Sequence, residues 1–284
     1  MGFAVRRVNV NRIKDVISRL AIESNIFLRK DVLRALKKAY LNERKVRAKK
    51  ILKILIENAK VAADEGLAIC QDTGMATVFL EIGQEVRLVG GDLEEAINDG
   101  IRQGYKKGCL RKSVVYDPLL RVNTKDNAPA VIHIKIVRGS KIKVAVSPKG
   151  FGSENKGVTK MFNPTESMKK IEEFIIGTVK AAGPDACPPF IIGIGMGGTL
   201  DKACVLAKQA LLRSIEKRNP RRHIAKLEEI LLKKINGLNI GPMGLGGKAT
   251  CLGLNIETYP THIAGLPVCV SISCHATRTA TAVI

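Results

Sequence analysis

Three of the seven cysteines lie where a thiolate can face a cleft. Cys70, Cys187 and Cys274 each follow or end an apolar stretch, and polar or turn-forming residues come directly after each of them. The other four lie in apolar or small-residue runs or end a basic segment: Cys109, Cys204, Cys251 and Cys269. Three loop thiols that are far apart in sequence indicate a metal cluster with only three protein ligands. Such a cluster keeps one iron open for chemistry.

Two polar residues near these thiols can move protons. Asp72 comes two residues after Cys70, and His262 precedes Cys274 by twelve residues, between two strand-like segments. A carboxylate and an imidazole beside an open metal are suited to general acid–base chemistry. A single histidine is more often structural, so this role for His262 depends on the site around it.

Two glycine-rich stretches compete as ligand-binding motifs. Residues 193–198 fit the G-x-G-x-x-G pattern, but no strand with a terminal acidic residue follows at the distance that dinucleotide binding requires. The pattern therefore predicts a glycine-rich turn before a helix that begins near Thr199, either for binding an anion or only for close packing. Residues 242–249 do not form a phosphate-binding loop, because Pro242 and Ala249 replace the glycine and the hydroxyl residue. No C-x-x-C pair occurs, which argues against a zinc ribbon.

The composition is that of a globular chain of 284 residues, with 45% hydrophobic and 26% charged residues. No apolar run approaches the roughly 20 residues that span a bilayer. Asp15 and Glu23 interrupt the first helical pattern, so no signal peptide is expected. An odd number of cysteines without close pairs favours a reducing compartment. These features predict a cytoplasmic enzyme or binding protein.

The net charge of +21 is concentrated in the N-terminal helical part and in residues 203–236. A solvated helix surface is the simplest explanation. A basic nucleic-acid-binding protein is the non-enzyme alternative, since such proteins contact phosphates through Lys and Arg, but no recognition motif accompanies the charge. The positive charge would also attract an acidic partner subunit or anionic substrates.

Hydrophobic periodicity predicts alternating helices and strands. Helices are expected over residues 10–68, 92–108, 166–182, 199–217 and 221–235. Strands are expected over residues 76–82, 86–89, 190–194, 249–257 and 266–272, with a hairpin over 130–147 and a loop over 147–157. We therefore expect an α/β (mixed α and β) fold with an N-terminal helical region and mixed β-sheet lobes. One domain, 1–284, is expected, with a further division into lobes 1–184 and 185–284.

The motifs around these residues resemble the alpha subunit of the iron–sulfur (class I) fumarate hydratases and L-tartrate dehydratases. The matching segments begin with Cys-Gln-Asp-Thr-Gly at 70–74 and continue through residues 110–115 and 147–156. They extend through Cys-Pro-Pro at 187–189 and residues 195–198, 241–247 and 259–262 to Cys-His-Ala-Thr-Arg at 274–278. The resemblance covers nearly the whole chain after residue 40, and its ordered motifs are far more specific than a single glycine pattern.

This resemblance implies a [4Fe-4S] cluster bound by Cys70, Cys187 and Cys274, with the fourth iron open to substrate. It places Gln71 and Asp72 beside bound substrate and implies that Arg111 binds a substrate carboxylate. Asp72 and His262 match active-site positions and are the candidates for proton transfer. Further substrate contacts are implied for residues of an enclosing loop: Gly150, Ser153, Glu154, Asn155 and Lys156.

The resemblance also implies a partner. In single-chain relatives a C-terminal part completes the substrate site, whereas this chain ends at Ile284 before any such part. A separate beta subunit is therefore expected to complete the active site in an α2β2 heterotetramer, with a small dicarboxylate as substrate and neither a nucleic acid nor a membrane as partner. The implied reaction is the reversible hydration of fumarate to (S)-malate in the tricarboxylic acid cycle. L-tartrate dehydratase and mesaconate hydratase are the alternatives, and the C3 base can lie on the beta subunit.

Overall fold

The computed structural model describes residues 5–284, which fold into two compact units. Unit 1 contains the described residues up to Leu28 together with Val61–Phe151 and Arg278–Ile284. Unit 2 contains Arg29–Lys60 and Gly152–Thr277. Each unit combines helices with a four-stranded mixed sheet, which confirms the predicted α/β class. Both units draw on residues before and after 185. The division into lobes 1–184 and 185–284 stays a prediction.

The helices and strands follow the predicted order closely. The helices are Val10–Ile26 (α1), Lys30–Asn42 (α2), Val46–Glu65 (α3), Leu93–Lys107 (α4), Phe151–Glu154 (α5), Met168–Ala182 (α6), Leu200–Leu212 (α7) and Arg222–Asn236 (α8). The strands are Arg6–Asn9 (β1), Met75–Gly83 (β2), Val86–Val89 (β3), Val131–Val137 (β4), Ile142–Lys149 (β5), Val158–Phe162 (β6), Phe190–Met196 (β7), Cys251–Thr258 (β8), Leu266–Ser273 (β9) and Ala280–Val283 (β10). Periodicity does not predict β1, β6 and β10. Across residues 5–284, no helix has the length and apolar character needed to cross a membrane.

Unit 1 is built on a sheet with the strand order β10-β5-β2-β4, while β1 and β3 form a separate parallel pair. Helix α4 begins after Asp92, whose side chain accepts a hydrogen bond from the N–H of Glu95 at 2.8 Å. Its buried residues Ile97, Ile101 and Tyr105 recur at intervals of four, so they share one face of the helix. Together with α1 and the sheet, this face forms the core of unit 1.

Strands β4 and β5 do not form the hairpin predicted over residues 130–147. Both strands exist, but β2 lies between them and pairs in parallel with β4 and antiparallel with β5. β2 is buried along most of its length, whereas β4 is largely exposed. Placing the more apolar strand inside the sheet removes more apolar surface from water than a β4–β5 pair would. β4 is left at the sheet edge, where His133 stacks on Phe79 with the ring centroids 4.9 Å apart.

Unit 2 is built on a second sheet, with the strand order β6-β9-β7-β8 and a fully buried β7. Helices α6 and α8 contribute apolar residues to the same core cluster as β7. These residues include Ile175, Val179, Leu231 and Ile235. Their spacing of four residues within each helix explains why the amphipathic pattern identified both helices correctly.

The glycines of residues 193–198 do not form the predicted turn throughout. Gly193 and Gly195 lie inside β7, and only Gly197 and Gly198 have positive φ angles. A Cβ atom at Gly193 or Gly195 would lie 2.1 or 2.0 Å from backbone carbonyl oxygens of α7. These two glycines therefore allow α7 to pack closely against β7. This geometry favours the packing explanation over an anion site at this motif.

Candidate functional site

In unit 1, Cys70, Gln71 and Asp72 form an irregular turn just before β2. Cys70 Sγ donates a hydrogen bond to Oε1 of Gln71 at 3.3 Å. The Asp72 carboxylate accepts hydrogen bonds from two backbone N–H groups, Gly74 at 3.0 Å and Phe151 at 2.9 Å. These two bonds fix the orientation of the carboxylate, while Cys70 and Asp72 both remain partly exposed.

Gly150 and Arg278 lie beside Asp72. A Cβ atom on Gly150 would be 3.1 Å from Asp72 Oδ2 and 2.8 Å from Nη2 of Arg278, so the space suits only a glycine. Nη1 of Arg278 donates a hydrogen bond to the backbone carbonyl oxygen of Asp72. Sequence reasoning placed Arg278 in a motif but gave it no role. The available signal was an arginine four residues after the predicted ligand Cys274.

Buried polar side chains donate hydrogen bonds to the backbone of the turn at residues 70–74. The Tyr105 hydroxyl donates towards the carbonyl oxygens of Thr73 and Gly74, at 2.8 and 2.9 Å. Nδ2 of Asn127 also donates to the Gly74 carbonyl oxygen, at 3.1 Å. Burial raises the pKa of Tyr105, so its hydroxyl stays protonated and remains a donor. The turn is therefore anchored to the core of unit 1.

Arg111 lies next to the same turn, because its carbonyl oxygen accepts a hydrogen bond from Thr73 Oγ1 at 3.0 Å. Its side chain is exposed and makes no ion pair with any described residue. An unpaired guanidinium can form two parallel hydrogen bonds with a carboxylate. Unit 1 thus brings together a first group of the predicted site residues: Cys70, Gln71, Asp72, Arg111 and Gly150.

In unit 2, Cys187 and the segment that follows Cys274 lie side by side. The Cys187 carbonyl oxygen accepts a hydrogen bond from the N–H of His275 at 3.3 Å, and Nδ1 of His275 lies 3.1 Å from the same oxygen. Cys187 itself adopts a left-handed conformation, with a φ of +53°. Both cysteines are partly buried thiols outside any disulfide. Because the segments that carry Cys187 and Cys274 are neighbours, these two thiols could bind the same metal cluster.

The predicted loop over residues 147–157 is partly regular, since β5 extends to Lys149 and the single turn of α5 follows. In unit 2, the Lys156 ammonium pairs with the Asp185 carboxylate at 2.8 Å. Asp185 precedes Cys187 by two residues, so this end of the loop lies beside the segment that carries Cys187.

The other loop residues in unit 2 differ in their surroundings. Glu154 pairs with Lys208 of α7, and both side chains are partly exposed. Ser153 is buried, whereas Asn155 is exposed. The loop is therefore held in place by ion pairs at two of its residues, and Asn155 is free to face solvent.

His262 lies in the exposed turn between β8 and β9, as the sequence predicts. Its Nδ1 accepts a hydrogen bond from the N–H of Ala264 at 3.1 Å. A neutral imidazole with an accepting Nδ1 carries its proton on Nε2, so Nε2 is the donor. Within the described part of the chain, its hydrogen bonds stay inside the turn and none joins it to Cys187 or Cys274.

The chain matches the family model described as fumarate hydratase (Fumerase) over residues 14–283. It belongs to the fumarate hydratase family. It is similar to the "Putative L(+)-tartrate dehydratase subunit alpha" of Methanocaldococcus jannaschii, with 42% identity over 275 residues that cover 95% of this chain and 96% of the relative. It is also similar to the "L(+)-tartrate dehydratase subunit alpha" of Escherichia coli strain K12, with 28% identity over 278 residues, or 97% and 91% of the two chains.

These matches confirm the resemblance to the alpha subunits of class I fumarate hydratases and tartrate dehydratases. They also confirm that the chain is part of a hydro-lyase, which is the enzyme class predicted from the sequence motifs. The names of both relatives state that each is a subunit alpha.

Burial sets two of the seven cysteines apart, Cys251 and Cys269. It raises the pKa of Cys251 to about 12 and that of Cys269 to about 12, so neither thiol ionises readily. These two cysteines lie inside strands β8 and β9, whereas the three predicted ligands lie outside helices and strands. Over residues 5–284, no three His, Cys, Asp or Glu side chains are placed to bind one metal ion. A [4Fe-4S] cluster does not require such a group, since its thiolate ligands bind different irons.

Proposed function

We propose that the chain is the alpha subunit of a [4Fe-4S]-dependent hydro-lyase that reversibly hydrates fumarate to (S)-malate. The family match over residues 14–283 is the observation that supports this most strongly. L(+)-tartrate is the second candidate substrate, because the names of both relatives contain L(+)-tartrate dehydratase. Fumarate hydration and tartrate dehydration both add or remove water at a four-carbon dicarboxylate, so one set of residues can serve either reaction.

Cys70, Cys187 and Cys274 are the residues proposed to hold the cluster. Their donor chemistry fits, since all three are thiols outside disulfides and are only partly buried, unlike Cys251 and Cys269. When bound, such a cluster supplies a Lewis-acidic iron that polarises the substrate hydroxyl group and orients the substrate.

Asp72 and His262 are the proposed proton-transfer residues on the hydroxyl side of the substrate. Hydroxide is a poor leaving group, so dehydration requires a proton at the departing oxygen. The Asp72 carboxylate is fixed by two backbone N–H groups and can exchange a proton with a hydroxyl group or water beside it. Nε2–H of His262 can donate to the same oxygen or to a water. The base that removes the C3 proton can lie on the beta subunit.

Arg111 is the proposed partner of the substrate carboxylate that lies away from the hydroxyl group. Its exposed guanidinium matches the planar, bidentate geometry of a carboxylate. Backbone N–H groups of residues 150–157 can add further contacts to the anion, as successive N–H groups do in anion-binding turns. Gln71 and the loop residues Ser153, Glu154, Asn155 and Lys156 are proposed to enclose the substrate.

A beta subunit is proposed to complete the site, in an α2β2 heterotetramer in the cytoplasm. The subunit names of the relatives support the existence of such a partner. The high net positive charge of the chain favours both an acidic partner surface and the attraction of dicarboxylates.

The test is a substrate panel. The chain is co-expressed with its beta subunit, purified without oxygen and reconstituted with iron and sulfide. Initial rates are then measured with fumarate, (S)-malate, L(+)-tartrate and mesaconate. The acid with the highest kcat/KM identifies the main substrate, and we expect fumarate and (S)-malate to lead. Absence of turnover with all four acids would contradict the proposal.

A matched pair of variants connects the activity to the proposed site. Asp72→Asn keeps the size of the side chain but removes its ability to exchange a proton, so a loss of kcat of roughly 10²- to 10⁴-fold is expected. Asp99→Asn is the control, because Asp99 is a carboxylate in unit 1 that pairs with Arg102 on the surface of α4. Equal kcat values for the two variants would remove Asp72 from the mechanism.

A further inference from the structure

Arg278 is a nearly buried cation at the edge of the candidate site in unit 1. Only 5% of the residue is exposed. Taking a guanidinium out of water is costly unless its N–H groups find acceptors. Its Nη1 donates to the backbone carbonyl oxygen of Asp72, so one of these groups is committed to the backbone of a proposed proton-transfer residue.

A second nitrogen of Arg278 and the Asp72 carboxylate border the same space beside Gly150. Nη2 of Arg278 and Oδ2 of Asp72 are 2.8 and 3.1 Å from the same point, the position of a Cβ atom on Gly150. The guanidinium is therefore bonded to the backbone of Asp72 and shares the space beside Gly150 with its carboxylate, without forming an ion pair with it. The carboxylate oxygen on this side is the one that accepts from the N–H of Phe151.

Arg278 is not fully satisfied in the way that a purely structural arginine usually is. Its buried Nε has no hydrogen-bond acceptor among residues 5–284. Buried donors without an acceptor are rare in folded proteins, and a role in the neighbouring site is one explanation for this one. The adjoining Gly150 supports this view, because a side chain there would displace the guanidinium.

We propose that Arg278 is a positioning residue that fixes Asp72 for the hydro-lyase reaction, an inference that rests on the proposed function. Nη1 sets the position of the Asp72 backbone, from which the carboxylate extends. The hydrogen bonds from Gly74 and Phe151 then hold the two carboxylate oxygens in one orientation.

Three variants of the α–β complex test this role. Arg278→Met removes the charge and the donors, and Arg278→Lys returns a charge and one donor. Gly150→Ala keeps the arginine but places a methyl group 2.8 Å from Nη2, so it tests the same contact if Arg278→Met does not fold. The control is Arg6→Met, because Arg6 is also in unit 1 and also donates to backbone carbonyl oxygens, those of Ser140 and Ile284.

The first readout does not depend on activity. The amide hydrogens of Gly74 and Phe151 are bonded to the Asp72 carboxylate, so their exchange with deuterium reports directly on whether it is held. We expect roughly tenfold faster exchange at both amides in Arg278→Met and Gly150→Ala, and no change at these amides in Arg6→Met.

The second readout is the division between kcat and KM. Misplacement of a reacting group by about 1 Å can cost a factor of roughly 100, so kcat should fall by about that factor in Arg278→Met. KM should change by less than about threefold, because the residue does not bind substrate directly. Arg278→Lys should recover part of kcat. If Arg278 were purely structural, Arg278→Met and Arg278→Lys would both lose stability, and Arg278→Lys would not recover kcat.

The outcomes separate the two proposals. If the wild-type complex turns over none of the acids, the proposed function fails, and the exchange data still decide whether Arg278 holds Asp72. If exchange at Gly74 and Phe151 matches the Arg6→Met control, Arg278 does not hold Asp72. If exchange is faster but kcat is unchanged, the contact is structural and the catalytic part of the inference is wrong.

Discussion

Replacing Tyr105 with Phe should weaken the link between the core of unit 1 and the turn at residues 70–74. Tyr105 is fully buried, and its hydroxyl serves the carbonyl oxygens of Thr73 and Gly74 at 2.8 and 2.9 Å. The substitution removes this donor but keeps the ring, so the packing of α4 is almost unchanged. The loss of stability therefore comes from the acceptors that are left behind.

The magnitude follows from which acceptor loses its partner. Asn127 still donates to the Gly74 carbonyl oxygen in the variant, at 3.1 Å, so Gly74 remains bonded. The Thr73 carbonyl oxygen loses the donor, and a buried acceptor without a partner costs about 1–3 kcal/mol. A central value of about 2 kcal/mol corresponds to a change of roughly 30-fold in the folded-to-unfolded ratio.

Urea unfolding followed by circular dichroism measures this loss. Tyr116→Phe is the matched control, because Tyr116 is 71% exposed and the loss of its hydroxyl leaves no buried acceptor without a donor. We expect a lower midpoint for Tyr105→Phe with an unchanged m value, and no shift for Tyr116→Phe. Equal midpoints for the two variants would refute the view that Tyr105 anchors the turn through its hydroxyl group.

Three further changes test other parts of the structure. Gly195→Ala would place a Cβ atom 2.0 Å from the carbonyl oxygen of Ala203, so a destabilisation of about 3 kcal/mol or more is expected in urea, and an unchanged midpoint would contradict the packing role. Burial alone raises the pKa of Asp31, but Arg29, 2.5 Å away, and further hydrogen bonds outweigh it and lower that pKa. The stabilisation by the ionised Asp31 is therefore complete above the ordinary pKa of about 3.9, and it is lost as the pH falls through the lowered pKa. Asp31→Asn should therefore reduce the fall in unfolding free energy below about pH 4. Parallel plots of unfolding free energy against pH for the variant and the wild type would contradict this. Because burial raises the pKa of Cys251 to about 12, mass spectrometry after alkylation of the native chain should find it unmodified, and rapid modification would show that it is not buried.

Local signals explain which elements could be predicted from the sequence. Asp92 precedes an amphipathic segment and caps it through a bond to the N–H of Glu95, so both the start and the face of α4 are encoded within a few residues. Strand pairing is not encoded in this way. β4 and β5 have the alternation and the turn of a hairpin, but the choice of β2 as their common neighbour depends on a strand about 50 residues earlier.

The candidate site shows the same division. Cys70, Asp72 and Cys187 stand in motifs whose residue types already suggest chemistry. Arg278 could not be assigned a role, because its contact with Asp72 joins residues more than 200 positions apart. The role of the Tyr105 hydroxyl could not be predicted from the sequence either. Helical spacing predicts that the side chain is buried, but not which carbonyl oxygens it contacts.

The most direct test of the central proposal is the iron and acid-labile sulfide content of the reconstituted α–β complex, measured together with its EPR spectrum. In separate variants, Cys70→Ala, Cys187→Ala and Cys274→Ala are compared with Cys109→Ala, which removes an exposed thiol outside the proposed site. We predict that the wild-type complex and Cys109→Ala carry equal amounts of iron and sulfide, and that each of the other three loses the normal cluster signal. A normal cluster in any of those three variants would contradict the ligand assignment.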